Sequence, residues 1–210
     1  MNKKIRIAGI IAALLVSVII LTSPSSPPPI PEPPQNNTQN KFIEILATNL
    51  EKPWSIDLAD ERIFISEKRG TIRVIDSGEL LEQPLVTLRT ADVFDGGLLG
   101  ITLHPDFAQN HILYAYYTYN EQGELWNKVI QIKESNNKIV EAKTILDKIP
   151  GSSFSNGGII KFGPDLKLYI GTGVVSDLTH ESQNLESLEG KILRLNDDGS
   201  VPDDNPFEDS

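Results

Sequence analysis

Cysteine is absent from all 210 residues, which excludes a disulfide framework and any zinc site built on thiolates. Basic residues are scarce, 19 Lys and Arg against 29 Asp and Glu, for a formal charge of −10. Residues 1–40 hold Lys3, Lys4 and Arg6 against Glu32 alone, so the acidic excess falls on the remainder. Such a surface repels nucleic-acid phosphates and speaks against a nucleic-acid partner. No segment sustains an apolar repeat of 3.6 residues, which speaks against a helical bundle. Hydrophobic residues still make up 39%, enough for a core, so global disorder does not fit. A chain of this length has room for one ordinary domain.

One long apolar run exists. Lys3, Lys4 and Arg6 precede Ile7 to Leu21, which is broken only by Gly9 and Ser17. The run is shorter than the roughly 20 residues of a full span and matches the h-region of a signal peptide. An Ala-x-Ala cleavage site is missing; Ser23-Pro24-Ser25 stands in its place. Residues 1–22 therefore read as a signal peptide or an uncleaved signal-anchor helix. The preceding positive charges put the bulk of the chain outside the cytoplasm, membrane-anchored or secreted. Residues 23–41 are rich in proline and then in Gln and Asn, and read as a flexible stalk. Asn36-Asn37-Thr38 within it fits the N-glycosylation pattern.

From residue 42 onward, short β-branched or alternating apolar runs recur: Phe42–Ala47, Trp54–Leu58, Arg62–Ser66, Thr71–Ile75, Leu99–Leu103, Ile112–Thr118, Lys128–Ile132, Gly158–Phe162, Lys167–Gly171 and Lys191–Leu195. Turn formers separate them, among them Asp60-Glu61, Ser77-Gly78, Gln122-Gly123, Asn136-Asn137 and Asp198-Gly199. This pattern predicts an all-β domain of antiparallel strands. Ile63–Ser66 leading into Thr71–Val74 echoes Leu168–Gly171 leading into Ile192–Leu195, each second strand bearing an Arg. Repetition at such a spacing points to a propeller, with a sandwich or barrel still open on periodicity alone. An EF-hand reading of the tail fails, because the alternate position before Asn196 is Arg194, which cannot ligate calcium. His104 and His111 read as structural and surface residues respectively.

Four blocks carry a resemblance. They are Lys52-Pro53-Trp54-Ser55-Ile56 with Glu67-Lys68-Arg69-Gly70; Asp95-Gly96-Gly97-Leu98-Leu99-Gly100 with His104-Pro105-Asp106-Phe107; Asn156-Gly157-Gly158 with Phe162-Gly163-Pro164-Asp165 and Leu168-Tyr169-Ile170-Gly171-Thr172-Gly173; and Glu189-Gly190-Lys191-Ile192 with Asp204-Asn205-Pro206-Phe207. In order and spacing, residues 42–210 resemble the soluble quinoprotein sugar dehydrogenases, the glucose/sorbosone dehydrogenase family.

The resemblance implies a six-bladed β-propeller of which about the first half is present. It also implies oxidation of aldoses at C1 outside the cytoplasm, with pyrroloquinoline quinone (PQQ), calcium and an external electron acceptor. It places Asp95, Gly96 and Asn156 at the cofactor or substrate. The family's base histidine falls at Ser155 and its supporting aspartate at Val174. A serine hydroxyl is no base near neutral pH without an activator; His180, in the following loop, is the substitute within reach in sequence. The family's arginines and calcium ligands lie mostly in later blades. Half a ring leaves open sheet edges, which points to a fragment or split gene, or to closure by self-association or a second chain. The competing readings are a non-catalytic, membrane-tethered binding propeller and an inactive remnant of the enzyme.

Overall fold

The computed structural model describes residues 43–175 and 179–207. All of these beyond Ile43 belong to one unit, Glu44–Ser210. The apolar run, most of the stalk and the end of the chain lie outside the described residues. Among the described residues no helix is long and apolar enough to cross a membrane.

The unit is all-β. The first sheet is a meander of β1 (Pro53–Ala59), β2 (Arg62–Glu67), β3 (Thr71–Asp76) and β4 (Glu79–Leu80), with β5 (Val86–Thr87) also on β3. The second is β6 (Leu98–Leu103), β7 (Ile112–Glu121), β8 (Glu124–Ser135) and β9 (Lys138–Pro150). The third is β10 (Gly157–Phe162), β11 (Leu168–Thr172) and β12 (Ile192–Leu195). Every pairing is antiparallel. A single helical turn, α1 (Phe107–Asn110), seats Phe107 edge-on to Phe64 at 5.2 Å.

The turns explain the hairpins. Ser77-Gly78, Gln122-Gly123 and Asn136-Asn137 each join two strands with both residues at positive φ, the geometry whose twist matches that of the flanking strands. Two departures from the sequence reading are instructive. Residues 43–47 form no strand, since Ile43, Ile45 and Leu46 find no apolar face and stay exposed. Conversely β9, thirteen residues long, escaped notice because it is an outer strand whose side chains are mostly solvated, so no alternation survives to be read.

The sheets stack through their first strands. β6 is buried along its whole length, and its edge away from β7 is closed by side chains of the first sheet. Ser66 Oγ donates to Leu99 O (2.7 Å), Ser55 Oγ accepts from Ile101 N (3.4 Å), and Asp57 Oδ2 accepts from Leu103 N and Thr102 Oγ1 (2.9 Å each). Asp57 Oδ1 takes Lys161 Nζ of β10 (3.0 Å), so one carboxylate ties the first strands of all three sheets. Burial alone would raise the Asp57 pKa. The Leu103 amide, the Lys161 ammonium and the Thr102 hydroxyl outweigh it and hold the carboxyl below its ordinary range.

Two apolar layers fill the spaces between sheets. Phe64, Ile72 and Val74 meet Ile101, Leu103, Leu113, Ala115, Ile130 and Ile132 in one. Leu99, Tyr114, Tyr116, Val129 and Ile149 meet Ile160, Leu168, Ile170 and Leu195 in the other. Outside these layers Arg194 binds Asp165 (3.0 Å), Asp204 (2.7 Å) and Asn205 (2.8 Å). It therefore pins the Asp204-Asn205 block to β12.

Candidate functional site

The first strands β1, β6 and β10 run the same way, so their entry loops meet at one end of the stack. The loop before β6 carries Phe94, Asp95, Gly96 and Gly97; the loop before β10 carries Ser152 to Asn156. Asp95 N donates to Ser153 O (2.8 Å), and Asp95 Oδ2 accepts from Ser155 N (3.3 Å). The structure thus brings together Asp95 and Ser155, sixty residues apart. Both are exposed.

Each loop is held from beneath. Lys68, itself buried, donates from Nζ to Phe94 O (2.7 Å) and lies 4.8 Å from the Trp54 ring centre. Gly97 has φ 111°, and a Cβ there would stand 2.2 Å from Lys68 O, so only glycine permits this close approach. Under the second loop lies Asn156, 1% exposed. Its Oδ1 accepts from Ser152 N (3.0 Å) and Asn127 Nδ2 (3.2 Å), its Nδ2 donates to Ser152 O (2.8 Å), and its carbonyl accepts from Tyr116 OH (2.8 Å). Asn127 Oδ1 in turn takes Thr118 Oγ1 (2.7 Å). Burial pushes the Tyr116 hydroxyl up, so it stays a donor. The Asn156 side chain is spent on the protein. It shapes the loop, and the residue it presents to solvent is Ser155, at φ 60°.

The turn after β11 touches the same loop. A Cβ on Gly173 would sit 1.6 Å from Ser155 O, so the two backbones are in contact and residue 173 has no room for a side chain. Next to it, Val174 lies against Gly190, and Val175 N donates to Glu189 Oε2 (3.0 Å). Val174 can neither orient nor charge a neighbour. His180 is exposed, and its one described charged neighbour is Glu181, next in the chain, at 3.6 Å. Residues 176–178, which lead to it, lie outside the described set. Among the described residues no contact ties His180 to Ser155, and the expectation that it substitutes as base gains nothing from the geometry. His104 is structural as expected: Nδ1 accepts from Asp106 N (2.9 Å) and Nε2 faces Asp197 (3.4 Å). His111 is half-exposed beside buried Glu134.

The sequence reading missed what surrounds Asp95 and Ser155. Phe94 and Phe154 are both exposed, with ring centroids 5.0 Å apart and planes at 40°. They stand directly before Asp95 and Ser155. The signal was present: Phe94-Asp95-Gly96-Gly97 and Phe154-Ser155-Asn156-Gly157-Gly158 are variants of one loop, an aromatic, a polar residue and a glycine pair. Two clefts lie elsewhere. One of about 320 Å³ is lined by Lys167, Asn196, Pro202, Asp203 and Asp204; another of about 310 Å³ by Arg89, Thr90, Tyr117, Tyr119, Asn120 and Lys128. Neither shares a residue with the Asp95–Ser155 rim.

The arrangement offers a carboxylate, a serine hydroxyl and two aromatic faces at a solvent-facing rim. Comparison with known proteins adds context. The family model for glucose/sorbosone dehydrogenase matches residues 50–210. The aldose sugar dehydrogenase YliI of Escherichia coli is 30% identical over 175 residues, 79% of this chain and 46% of that protein. A glucose dehydrogenase-type oxidoreductase of Thermus thermophilus superposes with a TM-score of 0.73 at 38% identity, over 79% of this chain and 50% of that one. The PQQ-bound aldose sugar dehydrogenase of Streptomyces coelicolor gives 0.70 at 35% identity, over 80% and 51%. The chain spans about half the length of the curated relatives it matches.

Proposed function

This chain belongs to the glucose/sorbosone dehydrogenase family, and on that premise we propose that residues 44–210 form three consecutive blades of a six-bladed propeller that oxidises aldoses at C1. The observation that carries the reading is the Asp95 carboxylate, held at the backbone of Ser155. Removing hydrogen from a sugar hydroxyl needs a base within hydrogen-bond reach of its proton. Ser155 and Val174 supply none, and the carboxylate fixed beside Ser155 does. In this reading Asp95 accepts the hydroxyl proton. Phe94 and Phe154 present flat apolar faces against which a sugar ring packs. Lys68 and Asn156 hold the two loops at the spacing the pair requires.

The family's PQQ, with calcium, supplies a two-electron acceptor when bound. The residues described fit that group only in part. Phe94 and Phe154 suit a planar ring. Its carboxylates need cations, and Lys68, the cation nearest the rim by contact, is engaged by Phe94 O and Trp54. Among the described residues no cluster of three or more His, Asp or Glu stands ready for a metal. What the described residues supply is therefore the proton acceptor and the apolar faces that orient the ring.

The leader and stalk fit a domain facing the cell exterior, which protease accessibility on intact cells would test. The chemical reading is tested on the full chain supplied with PQQ, calcium, glucose and a redox dye. Sugar-dependent dye reduction is expected, lost in Asp95→Asn and kept in Ser155→Ala. Turnover indifferent to Asp95→Asn would overturn it. Sugar or cofactor binding without turnover would favour a binding domain, the reading that Val174 and solvent-facing His180 support.

A further inference from the structure

The cleft of about 310 Å³ opens between the first and second sheets, lined by Arg89, Thr90, Tyr117, Tyr119, Asn120 and Lys128. Its walls lie well inside the chain, where these two sheets cover each other. Tyr117 and Tyr119 stand on β7, and Tyr117 pairs with Leu98 of β6 and Lys128 of β8. The cleft is therefore at the end of the second sheet where β6 begins. Arg89 and Thr90 belong to the segment that crosses from β5 to β6. That segment is fixed on both sides of Arg89: Leu88 N donates to Gly70 O and Ala91 N to Thr118 O (2.8 Å each). Thr90 Oγ1 donates to Arg69 O (3.1 Å).

The cleft has donors to spare, while its acceptors are taken. Asn120 Oδ1 accepts from Gly123 N (3.1 Å), which leaves the Nδ2 amide. Tyr119 OH donates to Asp147 Oδ1 (2.6 Å), and Asp147 Oδ2 faces Lys128 Nζ (3.6 Å). Lys128 Nζ also stands 3.8 Å from the Tyr119 ring centre, so Tyr119 is spent within the wall. Tyr117 OH has no hydrogen-bond partner among the described residues. Burial, and then the Asp147 charge, push its pKa up, so it is a neutral donor. Arg89 has neither ion pair nor hydrogen bond among the described residues, whereas Arg62, Arg69 and Arg194 each hold a carboxylate. In a chain of formal charge −10 such an arginine stands out. Lys148, beside the same tyrosine, is taken by Glu121. Around Tyr119, then, Lys128 and Lys148 are matched by Asp147 and Glu121, and the charge on Arg89 is unmatched.

We propose that this cleft is a binding site for a small carboxylate borne on a flat ring. The carboxylate takes the Arg89 guanidinium, whose planar fork suits two oxygens. The Tyr117 hydroxyl and the Asn120 amide supply further donors. One unmatched positive charge calls for a monoanion, which a carboxylate is and a phosphate near neutral pH is not. The ring packs on Tyr117, which is braced from within by the apolar layer and, among the described residues, has no cation over its face. A volume of about 310 Å³ lies at the lower end for a ligand pocket and admits one ring. A sugar suits the cleft poorly, because its hydroxyls need acceptors as well as donors. The site is thus separate from the chemistry at Asp95 and does not rest on it.

The test reads binding alone, by calorimetry on the full chain in mild detergent with benzoate as the probe. Benzoate is expected to bind with a dissociation constant in the millimolar range or tighter. Benzamide has the ring without the charge, and inorganic phosphate the charge without the ring; each is expected to bind at least about tenfold more weakly. Arg89 is exposed, so Arg89→Gln should keep the circular dichroism of the wild type and weaken benzoate at least about tenfold. Tyr117→Phe, which keeps the ring, should weaken it about threefold. Lys138→Gln, at an exposed position on β9, should leave it unchanged. No benzoate binding, benzamide or phosphate binding as tightly, Arg89→Gln or Tyr117→Phe binding like wild type, or an equal loss in Lys138→Gln would each overturn the proposal.

Discussion

Asp57 is where the stacking of the sheets is most open to measurement. Its side chain answers Leu103 N and Thr102 Oγ1 with one oxygen and Lys161 with the other. Thr102 and Leu103 are buried. Asp57→Ala would leave that amide and hydroxyl without an acceptor, at about 1–3 kcal/mol each. Lys161 is largely exposed, and its loss adds little. We expect a cost of about 3 kcal/mol. Asp57→Asn keeps one acceptor oxygen, and about 1 kcal/mol is expected.

The pH dependence follows from the sign of the shift. The folded pKa lies below the ordinary value. The stabilisation is therefore complete above the unfolded aspartate pKa of about 3.9 and is lost as pH falls through the lower, folded value. The gap between wild type and Asp57→Asn should hold steady from about pH 7 to about pH 5 and narrow below that. Urea unfolding followed by tryptophan fluorescence, at one protein concentration and a series of pH values, reads this directly. A gap that widens on acidification, or an Asp57→Ala cost under about 0.5 kcal/mol, would refute the account of how the three first strands are joined.

Two further outcomes follow from the rim. Gly173→Ala would drive a Cβ into Ser155 O, so a loss of at least about 2 kcal/mol is expected in thermal unfolding, larger than for Gly171→Ala, where the added carbon meets only Ile159 at 3.8 Å. Asn156→Ala removes the partner of Ser152 and Asn127 at a buried site and should cost about 3 kcal/mol. Tyr116→Phe, which loses one hydrogen bond, should cost about 1 kcal/mol, and a double-mutant cycle between the two should show coupling.

Much of the fold was legible because strands obey a two-residue period and turns have few sequence solutions. Gln122-Gly123 and Asn136-Asn137 mark hairpins whether or not anything else is known. What escaped was structure without a local signature. β9 pairs along β8 but buries little, so its sequence carries no alternation. The candidate site was legible only in part. Resemblance nominated Asp95, Ser155, Val174 and Asn156; the structure brings Asp95 to the backbone of Ser155, and only packing shows that the Asn156 amide is consumed by Ser152 and Asn127. Lys68 was invisible for the same reason: a lysine buried under a phenylalanine carbonyl reads in sequence as one more surface charge.

The position of the Asp95–Ser155 rim follows from the stacking. Along the bodies of β6 and β10, side chains fill the layer toward the preceding sheet, as Ile101, Leu103, Ile160 and Phe162 do. The loops entering the first strands are free of that duty, and because β1, β6 and β10 run together, those loops converge. Polar and aromatic residues can therefore gather there without disturbing the core. The rim pays in backbone freedom: Ser155 takes a left-handed conformation, and Gly97 and Gly173 sit where any side chain would collide. That strain is fixed by the loop, not by which side chain residue 155 bears. Ser155 is exposed and only its backbone is tied into the rim, through Asp95 Oδ2 and the close approach of Gly173, so Ser155→His is expected to leave the thermal unfolding midpoint nearly unchanged.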